Sequence, residues 1–343
     1  MKPSFSSIGS GEAGFGQGIT PLHRRAGSPL RIALAGYGVV GQALAERLRD
    51  EPAFEVASIL VRQPERRRSV PAPAPLTTDP DTFLATPADI LVDVLSCAET
   101  GSRLCAEALS RGVHVASASK RVVSAHHAQL HAAARHSGVE LLNAAAVGGG
   151  APVLETVAAA AGRGPIARVS GILNGTVNFI LTRLAEGQAF DRALADARRA
   201  GFAEEDSSED LSGADAAAKL RLIAAEAFRF NPALLSVDVE PLDAAAAARI
   251  AASQERWVQL STVARDGDWL RASVRLRRRR DVPQLPAVDD EWNCALVELA
   301  SGETAQCSGP GAGGAPTAGA IIGDLRRIAG EVHRAEPPLV IAC

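Results

Sequence analysis

Lysine is scarce in this chain. Of 36 basic residues 33 are arginine, and the three lysines are Lys2, Lys120 and Lys219. Arginine keeps its proton in a protein, whereas a desolvated lysine can give one up and take it back. The two internal lysines are therefore candidates for proton transfer, with chance survival of surface lysines as an equal alternative. Lys219 closes the segment GFAEEDSSEDLSGADAAAKL (201–220). That segment opens with Glu204, Glu205, Asp206, Glu209 and Asp210 in a polar loop, and ends in a helix with Asp215 and Lys219 four residues apart on one face. On spacing alone, an ordinary surface ion pair in acid-before-base order accounts better for that pair.

A second constellation is the glycine turn Gly36-Tyr37-Gly38-Val39-Val40-Gly41, set directly after a short apolar run and before a helical one. In that context GxGxxG reads as a dinucleotide site. Gly36 permits the turn, Gly38 lets a pyrophosphate approach the backbone, Gly41 lets helix and strand pack closely, and the helix N-terminus faces the phosphate charge. An NAD enzyme would end the next strand in Asp or Glu. Here it ends Leu60-Val61-Arg62, followed by Arg66, Arg67 and Arg68, and guanidinium groups suit the 2′-phosphate of NADP. NADP is the expected cofactor, with NAD and a merely solvated arginine loop as the alternatives. His126, His127, His131 and His136 include an i, i+4 pair, but no Cys or Glu accompanies them, so an exposed helix face is expected and no metal site.

These groups need elements to hold them. Strands are expected at 31–35, 54–61, 90–95, 113–116 and 139–142, alternating with helices at 42–49, 102–110 and 126–136, the signature of a parallel sheet covered on both faces. Three consecutive glycines in AVGGGAP (146–152) mark a domain boundary. Beyond it the pattern predicts helices at 153–161, 177–186, 191–200 and 214–228, and strands at 166–173, 257–263 and 272–278. A glycine loop (309–314) and a helix (318–330) follow. The expected division is a poorly ordered tail over 1–29, a dinucleotide-binding domain over 30–150, a second domain over 151–302 and a C-terminal segment over 303–343 that returns to the first. The fold class is thus α/β: a Rossmann-type doubly wound parallel sheet plus an α/β substrate-binding domain.

Length suits about two domains. A net charge of -3 and a pI near 6.2 argue against nucleic acid as the main partner, and Arg277–Arg280 reads as a solvated strand face or loop. Five scattered cysteines without a CxxC, and no signal-like or spanning apolar stretch, predict free thiols in a cytoplasmic protein with no membrane partner.

Taken together, RIALAGYGVVGQAL (31–44), GVHVASASK (112–120), AAAVGGGAPV (144–153), GILNGTVNFIL (171–181), the 201–220 segment and GPGAGGAPTAGAIIGDL (309–325) resemble homoserine dehydrogenases, in the family's order and over roughly 30–330. NGTxNFI and GFAE…D…GxDAAAK are specific to that family. The resemblance implies reduction of L-aspartate 4-semialdehyde to L-homoserine, and the reverse, with catalytic Lys219, Lys120 and Asp215. Glu204 and Asp215 would bind substrate, and Gly36, Gly38, Val39, Val40, Gly41, Arg62 and Lys120 the cofactor. It also implies dimerisation of two identical chains through the second domain. The chain leaves no room for a C-terminal ACT domain, so threonine inhibition through one is not expected. Departures are Ser119 for the asparagine of a TANK-like segment, Ala144 for a glutamate that helps hold a monovalent cation, and Val177 and Phe179 where hydroxyl-bearing residues are usual. They keep open a related amino-aldehyde as substrate, or a weakly catalytic NADP-binding protein.

Overall fold

A computed structural model describes residues 28–335 with the exception of Glu204. The expected tail therefore lies, apart from Ser28 and Pro29, outside the described residues.

The first layer system begins with strand β1 (Leu30–Ala35), helix α1 (Val39–Leu48), β2 (Phe54–Leu60), β3 (Leu76–Thr77), α2 (Pro80–Ala85), β4 (Ile90–Asp93), α3 (Ala98–Ser110), β5 (His114–Ser117), α4 (Lys120–Ser137) and β6 (Leu141–Leu142). All the strand pairs are parallel, in the order β3-β2-β1-β4-β5-β6. This is the doubly wound order, in which ligands bind outside the strand ends where the order reverses, between β1 and β4. Ile32, Leu34, Ile90 and Val92 face one apolar cluster, while Ala33, Ala35 and Leu91 face the other. Burial on both faces is why these strands read as continuous apolar runs rather than alternating ones.

Helix α4 starts six residues earlier than the sequence pattern suggests. Ser119 caps it, and the backbone leaves helical values at His126 (φ -118°), the residue where the pattern placed its start. The earlier start puts Lys120 in the first turn. The histidines also differ from expectation. His126 and His136 are exposed, but His127 and His131 are half-buried with ring centroids 4.2 Å apart. Burial, together with the charge of His127 and nearby arginines, lowers the His131 pKa to about 4.

The second layer system runs α5 (Val153–Ala161), β7 (Ile166–Ile172), α6 (Gly175–Ala185), α7 (Phe190–Arg199), α8 (Ser208–Leu211), α9 (Ala214–Phe228), β8 (Asp238–Val239), α10 (Ala244–Ser253), β9 (Trp257–Asp266), β10 (Trp269–Arg278), β11 (Trp292–Leu299) and β12 (Thr304–Pro310). Its sheet has the order β12-β11-β7-β9-β10-β8, antiparallel except for the β10–β8 pair. One face carries Val169, Val263, Ala295 and Val297 against α5 and α9. The other carries Ile172, Val258, Cys294 and Leu296 against the loop bearing Val282, Leu285 and Val288. Strands β11 and β12 were not anticipated. Because β12 stays in this sheet to Pro310, the chain leaves the second sheet at the glycine loop rather than near 303. It then forms α11 (Gly314–Ala335), whose Ala318, Ile321, Ile322 and Leu325 pack in the same cluster as Leu44 and Leu48 of α1. Arg278 and Arg280, at the end of β10 and just beyond, share Glu255 as an ion-pair partner.

Candidate active site

Sequence places Lys120, Asp215 and Lys219 on two helices 95 residues apart in the chain. The fold brings them together in the cleft between the two sheets, beside the ends of β4 and β5 and the glycine segments 144–150 and 311–313. Lys120 is the first residue of α4, held there by the Ser119 cap. That serine replaces the asparagine of the resemblance and accepts from Val122 N at 3.4 Å. Asp215 lies in the first turn of α9, 4% exposed, and Lys219 one turn later.

Asp215 is the hub. Its Oδ1 accepts from Lys120 Nζ in a short contact, and its Oδ2 takes Lys219 Nζ at 2.8 Å and Asn174 Nδ2 at 2.9 Å. Burial works to raise this carboxyl, but the ammonium groups of Lys219 and Lys120 outweigh it and hold the pKa at about 2. Lys120 shows the counterpart: burial opposes its charge, yet Asp215 raises its pKa. The isolated i, i+4 pair favoured by spacing is thus a buried three-membered bridge spanning both halves of the molecule.

Lys219 has a second fixed acceptor, the carbonyl of Leu173 at 2.7 Å. An ammonium carries three N–H donors, so two are committed and one remains for a group in the cleft. Asn174 was missed as a site residue, although it belongs to the NGT motif. Its Oδ1 caps α6 by accepting from Val177 N at 2.8 Å, and its Nδ2 donates to Asp210 at 2.7 Å as well as to Asp215. Asp210, one of the loop carboxylates, has its pKa raised by burial. Glu204 lies outside the described residues. Val177 and Phe179 are buried in the α6–α7 packing, Phe179 against Phe202 at 5.3 Å. These two departures fill core rather than face the lysines. At the Ala144 departure, the backbone N–H donates to Asp324 at 3.0 Å.

The glycine turn forms the other arm of the cleft. Gly36 has φ +108°, and a Cβ on Gly41 would sit 2.3 Å from the Gly36 carbonyl oxygen, so neither position accepts a side chain unchanged. Gly38 has open space where a Cβ would be, and as N-cap of α1 it supplies no side-chain bond to the first N–H groups. Val39, the first residue of α1, is 75% exposed, and Val40 lines the cleft. Arg62, Arg66 and Arg68 stand around Gly36 and Gly38; Arg67 does not. The Arg68 guanidinium is tied to the carbonyls of Gln63, Pro64 and Arg66. The side chains of Arg62 and Arg66 make no hydrogen bond or ion pair with the described residues. Gln42 Oε1 fastens this arginine loop to α1 by accepting from Ser69 N and Val70 N at 2.9 and 3.1 Å. An uncapped helix N-terminus, a backbone open to close approach and free guanidinium groups without a carboxylate at the end of β2 fit a phosphorylated dinucleotide.

Comparison with known proteins gives the family of both halves of the chain. Residues 152–325 match the homoserine dehydrogenase family model, and 36–143 match the model for the NAD-binding domain of homoserine dehydrogenase. The homoserine dehydrogenase of Bacillus subtilis is 31% identical over 312 residues, covering 86% of this chain and 72% of the relative. That of Corynebacterium glutamicum is 33% identical over 332 residues, covering 91% and 75%. The crystal structure of a homoserine dehydrogenase from Thiobacillus denitrificans superposes with a TM-score of 0.82 at 29% identity, covering 92% of this chain and 76% of that one. A hyperthermophilic archaeal homoserine dehydrogenase in complex with NADPH shares the fold, at a TM-score of 0.72 and 21% identity over 88% of this chain and 98% of that one.

Proposed function

The chain belongs to the homoserine dehydrogenase family and has that oxidoreductase activity, and from this premise we propose that it works with NADPH, with Lys219 as proton donor, Lys120 as its electrostatic partner and Asp215 as the anion that holds both. The observation that carries the assignment is the convergence of two lysines, one from each half of the molecule, on one buried carboxylate in the cleft.

The Gly36–Gly41 turn and the first N–H groups of α1 hold the pyrophosphate, and Arg62 with Arg66 holds the 2′-phosphate. When bound, the cofactor supplies the hydride for the aldehyde carbon. The protein's work is placement and charge. The substrate ammonium is taken by the carboxylates of Glu204 and Asp215, the pair that the family resemblance implies. As negative charge develops on the carbonyl oxygen, the uncommitted N–H of Lys219 donates to it and passes its proton, while Lys120 adds positive potential. In the reverse direction neutral Lys219 accepts the hydroxyl proton. Asp215 lets two cations lie side by side in a site where they would otherwise repel each other. The proposal includes a homodimer in the cytoplasm, which the free thiols of Cys97, Cys105, Cys294 and Cys307 fit.

The test is the rate of NADPH oxidation with aspartate semialdehyde for the wild type and Lys219→Met, with cofactor binding followed by fluorescence. The expected outcome is a kcat about 10² to 10⁴ lower in the variant with binding intact, the range for a positioned general acid. Near wild-type turnover in Lys219→Met would remove that lysine from the proton step.

A further inference from the structure

The carbonyl on which Lys219 rests has a second donor. Leu173 O accepts from Lys219 Nζ at 2.7 Å and from Asn293 Nδ2 at 3.3 Å. On one side of β7, Cys294 of β11 pairs with Ile172; on the other, Ser261 of β9 pairs with Gly171. Continuing both registers sets Asn293 and Gln259 on either side of Leu173. Strand alternation then places Gln259, Ser261 and Asn293 on the face that carries Val263, Ala295 and Leu173, the face covered by α5 and α9. Gln259 Nε2 reaches to 3.6 Å from the point where a Cβ on Gly213 would stand, and Gly213 is the residue that opens α9 just before Asp215.

This row is polar where the rest of the face is apolar. Gln259, Ser261 and Asn293 are 1%, 0% and 0% exposed. Even so, Gln259 Nε2 and Oε1, Ser261 Oγ and Asn293 Oδ1 have no hydrogen-bond partner among the described residues. Native interiors seldom leave such atoms unpaired, because each forfeits its hydration without compensation. Four of them on β9 and β11, the two strands that flank β7, are the kind of unpaired polar set that internal water satisfies by making several bonds, becoming part of the structure.

We propose that Gln259, Ser261 and Asn293 hold ordered water beneath Lys219, and that this row fixes the Leu173 carbonyl and so sets where Lys219 sits and how firmly it keeps its proton. These are positioning residues: none of them touches substrate or cofactor in this scheme. The inference rests on the reading of Lys219 as the proton-transferring group.

The test uses Gln259→Met, which keeps side-chain length and removes both polar atoms, together with Ser261→Ala and the hydroxyl-retaining Ser261→Thr. In homoserine oxidation, Gln259→Met is expected to lower kcat about tenfold and to move the pH midpoint of kcat by about one unit, with KM within about twofold of wild type. Ser261→Ala moves the same two quantities in the same direction by less, and Ser261→Thr restores them. In a high-resolution crystal structure, water lies within hydrogen-bond distance of Gln259 and Ser261. A folded Gln259→Met enzyme with unchanged kcat and midpoint overturns the proposal, as does a loss of kcat with the midpoint unmoved, or a dry row. If Gln259→Met does not fold, Ser261→Ala decides by the same readouts. Lys219→Met separates the two levels: if that variant stays active, the reading of Lys219 fails, whereas an inactive Lys219→Met beside a wild-type-like Gln259→Met rejects the water row alone.

Discussion

Replacing Asp215 by asparagine is the most informative single perturbation of this site. The amide has the same shape but only one acceptor oxygen, and its two orientations are unequal. Two donors converge on Oδ2, Lys219 at 2.8 Å and Asn174 at 2.9 Å, whereas Oδ1 receives Lys120 alone. The amide oxygen therefore occupies the Oδ2 position, and the amide nitrogen turns toward Lys120, donor against donor. The bridge across the cleft is lost while the contact within α9 survives. The size of the electrostatic loss follows from linkage. A carboxyl held at about 2 instead of its usual 3.8 contributes roughly 2 kcal/mol to folding near neutral pH. The sign is that of a depressed acid: the contribution is fully present above the unfolded value and is lost as pH falls through the folded one. Equilibrium unfolding in urea at fixed protein concentration, for wild type and Asp215→Asn, should differ by about 2 kcal/mol near pH 7, and the gap should close between about pH 4 and pH 2. Turnover should fall at least about tenfold while cofactor affinity holds, since the glycine turn is untouched. A gap below about 0.5 kcal/mol near pH 7, or one that does not narrow in acid, would refute the account of Asp215 as a charged hub.

Two further outcomes are expected. Arg62→Asp with Arg66→Ala should lower the preference for NADPH over NADH by about 10² or more, the loss of two charge-assisted bonds to a phosphate; steady-state kinetics with both cofactors measures it, and an unchanged ratio would move the 2′-phosphate elsewhere. Asp324 is 5% exposed, and burial raises its pKa from 3.8 to about 7. A raised acid loses stability as pH climbs between the two values, by up to about 4 kcal/mol. Asp324→Asn, still able to accept from Ala144 N, should therefore raise Tm near pH 8 and lose most of that advantage by about pH 4, as thermal denaturation across pH would show.

Much of this molecule is decided by local sequence. The GxGxxG turn, its flanking strand and helix, and the runs that become β2, β4 and β5 are legible because burial on both faces and the steric demands of Gly36 and Gly41 act over a few residues. The scarcity of lysine singled out Lys120 and Lys219 without any structure. Other features depend on distant partners. The true start of α4 was masked by the break at His126, and only the docking of α4 beside α9 makes use of its first residue, Lys120. Strand β12 (TAQCSGP) carries little apolar pattern and exists because β11 pairs with it. Spacing favoured a surface ion pair for Asp215 and Lys219, because spacing carries no information about burial. The tertiary fold removes Asp215 from water, brings Lys120 and Asn174 onto it, and aligns Leu173, Gln259 and Asn293 beneath Lys219 across three strands. Residue types announce which groups can exchange protons, but dielectric, register and long-range contact decide which of them do, and those belong to the folded chain.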